Sequence, residues 1–168
     1  MKLLILVVDD EPDVEMLFKQ HFRRDLRAGR FTMEFAQSAP VALQSISNAS
    51  DASLILILSD INMPGMSGLE YLRELKSENG NGPLVIIVTA HGSERLAVEA
   101  VKTGAYDYLS KPFELEDLRL VVKNAAETVQ LRRENFSLRR RIEVERSQRG
   151  ALIGNSEAMQ RVRGMIEK

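Results

Sequence analysis

Short apolar runs with no polar break constrain this chain more than any other feature. Leu3 to Val8, Leu54 to Leu58 and Leu84 to Val88 are each five or six consecutive apolar residues. A strand with one solvated face alternates apolar and polar residues, whereas an unbroken run implies burial on both faces. Helical signals lie between the runs. Pro12 suits a first helical turn, and Val14, Leu17, Phe18 and Phe22 follow at helical spacing until Gly29. Phe31 to Phe35 reads as a weak strand and Pro40 to Ile46 as a short helix. Leu69, Leu72 and Leu75 mark the next helix, closed by the turn from Asn79 to Pro83. Ser93 can cap a helix carrying Leu96, Val98 and Val101, which Gly104 ends, and Tyr106 to Leu109 is a last short strand. Strand and helix signals alternate five times. That predicts an α/β fold, a five-stranded parallel sheet with helices on both faces.

Charge divides the chain. Residues 1–118 hold 11 Lys/Arg against 18 Asp/Glu, and residues 119–168 hold 12 against 6. An acidic globule followed by a basic tail implies two functional segments. The absence of cysteine excludes disulfides, a thiol nucleophile and cysteine metal sites. The N-terminal apolar run stops at Asp9-Asp10-Glu11, too short and too acidic at its end for a secretory signal. No run approaches the roughly 20 apolar residues of a membrane span. The expectation is a soluble, cytoplasmic protein.

In open parallel sheets, ligands bind outside the carboxyl ends of the strands. Here those ends are Asp9-Asp10, Asp60, Thr89 and Ser110-Lys111-Pro112. Three carboxylates, a hydroxyl and an ammonium should therefore converge on one edge. Clustered carboxylates repel unless a counter-charge joins them. Hard oxygen ligands with an open hydrated sphere suit Mg²⁺, which also takes phosphate oxygens. Metal, ammonium and hydroxyl around one carboxylate can neutralise a phosphoryl group in transit.

The residues at these ends resemble response-regulator receiver domains. The resemblance rests on Val7-Val8-Asp9-Asp10-Glu11-Pro12, on Ser59-Asp60-Ile61-Asn62-Met63-Pro64-Gly65-Met66-Ser67-Gly68, on Val88-Thr89-Ala90 and on Tyr108-Leu109-Ser110-Lys111-Pro112-Phe113. It runs from about Leu3 to about Val129 and implies a doubly wound, flavodoxin-like sheet. It implies that Asp60 is the nucleophile that accepts a phosphoryl group from a histidine kinase. Asp10 would ligate Mg²⁺, with Asp9 beside it or acting through water, and with Asp60 and the backbone carbonyl of Asn62 as further ligands. Lys111 would pair with the phosphoryl group, Thr89 would turn to hydrogen-bond it, and Tyr108 would be the aromatic switch that follows. The Lys111–Pro112 peptide is expected to be cis. Asn62 and His91, two residues past Asp60 and Thr89, stand where the family influences the lifetime of the phosphoryl group. His91 itself reads as a loop residue, and His21 as an ordinary helix residue.

Each feature alone has a plainer reading: Asp9-Asp10 a solvated turn, Asp60 a turn cap, Thr89 a strand end, Lys111 a surface lysine, Tyr108 a core residue. Together these require five coincidences at four strand ends. An Asp-nucleophile phosphohydrolase of the haloacid-dehalogenase type is the enzyme alternative. It needs an acid two residues past the nucleophile, where this chain has Asn62, which cannot hold and release a proton. A receiver fold kept only for docking would not need the full polar set. A regulatory domain, not a turnover enzyme, is expected.

Residues 1–127 are read as the receiver, 128–149 as a helical connector and 150–168 as the start of an output domain. Thr128, Asn135 and Ile142 fall seven apart with Leu131 and Leu138 between them, a short heptad seam. Asn at an inner position favours a parallel dimer in fixed register, so a homodimer through the connector is expected. The competing reading is a single charged helix. Arg132, Arg133, Arg139, Arg140 and Arg141 lack a helix-turn-helix pattern beside them and read as a solvated face or one meeting an acidic receiver. Ala151 to Gln160 resembles the opening of the AAA+ ATPase domain of sigma-54-dependent activators. No phosphate loop follows before Lys168. ATP hydrolysis, DNA and sigma-54 RNA polymerase are therefore expected to involve only domains outside this chain.

Overall fold

Five parallel strands form one sheet in the order β2-β1-β3-β4-β5. They are β1 (Leu3–Val8), β2 (Phe31–Ala36), β3 (Leu54–Ser59), β4 (Leu84–Thr89) and β5 (Asp107–Ser110). The computed structural model describes residues 3–49, 54–76, 82–90, 94–154 and 161. Among these the helices are α1 (Asp13–His21), α2 (Arg23–Arg27), α3 (Ala39–Asn48), α4 (Gly68–Lys76), α5 (Glu94–Thr103) and α6 (Leu115–Gly154). His91 and Ser93 lie outside the described residues, as do residues 79–81 of the turn from Asn79 to Pro83 and most of the segment resembling the output domain.

The unbroken apolar runs are the three central strands, as a doubly covered sheet requires. Side chains alternate between faces. Leu6, Val8, Ile57, Val85 and Ile87 pack with Ala39 and Ala42 of α3, Leu69 and Leu72 of α4 and Ala100 of α5. Ile5, Val7, Leu56, Leu58, Ile86 and Val88 pack on the other face with Val14 and Phe18 of α1 and Leu118, Val122 and Ala125 of α6.

The expected helix from Pro12 to Gly29 is two. Phe22 leaves helical geometry at φ −95°, ψ 14° and separates α1 from α2. Its ring is 2% exposed and meets Phe31 edge-on at 5.7 Å. The aromatic ring is thus buried against β2 at the point where α1 gives way to α2. Gly104 closes α5 at φ 107°, a conformation that favours glycine. The last strand starts one residue later than Tyr106, and α6 continues past Glu145.

The chain divides into two compact units, Met1–Val129 and Gln130–Lys168. In the second unit Leu131, Phe136, Leu138, Ile142 and Val144 are all at least half exposed. No described helix is long and apolar enough to cross a membrane.

Candidate functional site

Strand register builds the site. The order reverses between β1 and β3, whose neighbouring ends leave a crevice. Val8 pairs with Ser59, and Asp60 donates its backbone N–H to Val8 O at 2.9 Å. The next residues of the two strands are Asp9 and Asp60, so their side chains leave the sheet side by side. Thr89 pairs with Ser110, and Lys111 donates its N–H to Thr89 O at 2.7 Å. The Lys111–Pro112 peptide is cis.

Carboxylate oxygens of Asp9, Asp10 and Asp60 all lie within 4.8 Å of one another. Asp9 and Asp60 are 8% and 7% exposed, while Asp10 faces solvent. Lys111 Nζ donates to Asp9 Oδ2 at 2.9 Å. The other Asp9 oxygen accepts the Glu11 N–H at 3.0 Å, and Asp60 Oδ1 accepts the Ile61 N–H at 2.8 Å. Thr89 is fully buried, and the Asn62 side-chain amide donates to its hydroxyl at 3.5 Å. Tyr108 is half buried, with its hydroxyl covered and without a protein partner.

Electrostatics follow from this packing. Burial pushes the Asp60 carboxyl above its ordinary value; Lys111 opposes the rise and Asp9 adds to it. Burial pulls the Lys111 pKa down, but the hydrogen bond it donates to Asp9 and the charges of Asp9, Asp60 and Glu11 outweigh it and leave the pKa raised. Lys111 is thus held charged. With three carboxylates against one ammonium, the crevice carries an excess of two negative charges when all are ionised. A hard divalent cation matches that excess and the all-oxygen donor set.

Two supporting features escaped the sequence reading. A Cβ on Gly68 would lie 2.1 Å from the Asp60 carbonyl oxygen, so only glycine lets α4 start against the Asp60 backbone. Ser67 and Glu70 then form a reciprocal cap: Glu70 Oε2 accepts the Ser67 N–H at 2.9 Å and Ser67 Oγ accepts the Glu70 N–H at 3.3 Å. The Ser67-x-x-Glu70 spacing was a legible capping box. The contact of Gly68 with Asp60 was not, since it depends on tertiary approach.

Residues 5–123 match the family described as the response regulator receiver domain. The C4-dicarboxylate transport transcriptional regulatory protein DctD of Pseudomonas aeruginosa is 36% identical over 166 residues, 96% of this chain and 33% of that protein. The regulatory protein AtoC of Escherichia coli K12 is 34% identical over 155 residues, 92% of this chain and 32% of that protein. The chain spans about a third of the length of these curated relatives. A response regulator receiver domain from Clostridium thermocellum superposes with a TM-score of 0.67 at 31% identity, covering 77% of this chain and 98% of that one. The beryllofluoride-activated NtrC4 receiver domain dimer gives a TM-score of 0.65 at 29% identity, covering 75% and 98%. With residues 5–123 and the fold matched in this way, the chain belongs to the response-regulator receiver family.

Proposed function

We propose that this chain is a phosphorylation-controlled switch whose phosphoacceptor is Asp60. One observation carries the reading: three carboxylates within 4.8 Å of one another, with an ammonium bonded to one of them, at the topological switch point of the sheet. Asp10 and Asp60, the Asn62 carbonyl and Asp9, directly or through water, would hold Mg²⁺. The ion would supply charge neutralisation at the transferring phosphoryl group. A histidine kinase presents phosphohistidine to the crevice. An Asp60 carboxylate oxygen attacks phosphorus, the P–N bond breaks, and imidazole leaves. Lys111, already charged and within reach of the crevice, pairs with the incoming phosphoryl oxygens. Thr89 exchanges the Asn62 contact for a phosphoryl oxygen. Tyr108, whose hydroxyl has no protein partner, follows it. Asn62 supplies no acid or base, so the mark persists rather than turning over.

Incubation with acetyl phosphate and Mg²⁺, read by intact mass, tests the chemistry. The wild-type chain should gain one phosphoryl group and Asp60→Asn none. A phosphorylated Asp60→Asn protein would sink the assignment.

The output reading rests on relatives. DctD and AtoC belong to the sigma-54-dependent activators, and their match to this chain runs through the connector. We infer that the connector passes the switch to such an output domain, and that the exposed seam of Leu131, Leu138 and Ile142 pairs two chains. ATP hydrolysis by the intact protein should then depend on Asp60 phosphorylation. Equal hydrolysis by Asp60→Asn would detach the receiver from that output.

A further inference from the structure

Tyr106 takes no part in the crevice, yet it joins three parts of the receiver. Its N–H donates to Val85 O at 2.7 Å, at the start of β4. Its ring packs on the sheet face that α1 and α6 cover. Its hydroxyl lies 3.2 Å from Thr128 Oγ1 on α6. The Thr128 hydroxyl has one proton, and that proton goes to Asn124 O at 2.9 Å. Tyr106 is therefore the donor and Thr128 the acceptor.

The place of this bond gives it meaning. Val129, the next residue, is the last on α6 to pack against that core. Leu131 is already 64% exposed. Thr128, read from sequence as the first inner position of the heptad seam, has its hydroxyl bonded within the receiver. On the other side, Tyr106 directly precedes β5, which carries Tyr108 and leads into Lys111.

We propose that Tyr106 is a positioning residue that fixes the turn at which α6 leaves the receiver core, and that it passes displacement of β5 to the connector through the Thr128 hydroxyl. The second half rests on the phosphoacceptor reading above. The bond ties the strand bearing the switch tyrosine to the last held turn of the helix. Movement of β5 either carries that turn with it or breaks the bond and lets the turn fray.

Amide hydrogen exchange on the full chain tests both halves. Tyr106→Phe and Thr128→Val should each speed exchange over residues 126–132 by about fivefold, the effect of one lost hydrogen bond. Amides of β1, β3 and β4 should keep wild-type rates, and the double variant should be no faster than either single one. Thr128→Ser keeps the hydroxyl and should match wild type. Wild-type rates in Tyr106→Phe and Thr128→Val overturn the clasp. So does Thr128→Ser exchanging as fast as Thr128→Val, which assigns the effect to methyl packing. For the relay, Mg²⁺ and beryllofluoride, a tetrahedral phosphoryl analogue, should alter exchange over residues 126–132 in wild type. In Tyr106→Phe that response should fall several-fold while the response over residues 60–68 remains. An undiminished response removes Tyr106 from the relay. No response at 60–68 in wild type removes the phosphoacceptor reading and the relay with it, and the metal-free rates still decide the clasp.

Discussion

Burial raises the pKa of the Asp60 carboxyl, against the pull of Lys111. A raised folded-state pKa means that the fold favours the protonated carboxyl. That contribution is fully present below the unfolded value and is lost as pH rises through the folded value. Ionised Asp60 thus weighs against the metal-free fold at neutral pH. In a chelating buffer at pH 7, Asp60→Asn should melt above wild type, and the gap should close as pH falls below the ordinary value of 3.8. Equal melting at pH 7 would mean that Lys111 fully offsets the burial. The same charge excess predicts a response to metal. Mg²⁺ at a hundredfold its dissociation constant should add about 2.7 kcal/mol of stability. Asp10→Ala should abolish most of that gain in a thermal melt while leaving the metal-free protein folded, because Asp10 is exposed. Tyr71 is a different case. It is fully buried in the α4 face of the core, and its hydroxyl has no protein partner. Tyr71→Phe should stabilise the protein by roughly 1 kcal/mol in denaturant unfolding, since it removes a buried polar group. A loss of stability would show that the phenol is satisfied.

Among the elements, α4 bears most directly on the crevice. Its capping box orients the first turn, and Gly68 lets that turn touch the Asp60 backbone. Gly68→Ala places a Cβ 2.1 Å from the Asp60 carbonyl oxygen, which also accepts the Ser59 hydroxyl at 3.1 Å. The cost should reach the upper end of roughly 1–3 kcal/mol. The variant should also take up phosphoryl from acetyl phosphate more slowly, because the nucleophile is displaced. Unchanged phosphorylation would show that α4, and not the β3 end, absorbs the strain. Helix α6 is held by Leu118, Val122 and Ala125, each almost fully buried. Truncating Leu118 to Ala should cost about 2–5 kcal/mol.

On the scale of the whole chain, the question is what covers the apolar side chains after Val129. Leu131 and Leu138 are 64% and 55% exposed. Two such leucines in one short seam should pair two chains weakly. Thr128, the first position of the Thr128, Asn135 and Ile142 spacing, has its hydroxyl bonded to Tyr106. Leu131→Asp with Leu138→Asp in the full chain should sediment as a monomer where wild type, on the proposed pairing, sediments as a dimer. If the double variant still dimerises, the interface lies on the receiver.

Sequence alone determined the sheet and the chemistry of its edge. Unbroken apolar runs can be buried only between two layers, and a parallel sheet puts every strand end on one side. Asp9 and Thr89 directly follow such a run, Asp10 and Asp60 lie two residues past one, and Lys111 follows the last short strand, so all five were legible as strand-end residues. The register and the order β2-β1-β3-β4-β5 were decided by tertiary structure, since pairing between strands far apart in sequence leaves no local trace. So was the choice of Asp9 as the partner of Lys111, which depends on side chains 102 residues apart. The break at Phe22, the closeness of Gly68 to Asp60 and the capture of Thr128 by Tyr106 share that origin. Periodicity reports which face of an element is apolar. It does not report which neighbour arrives there, and in these three places the neighbour decides the structure.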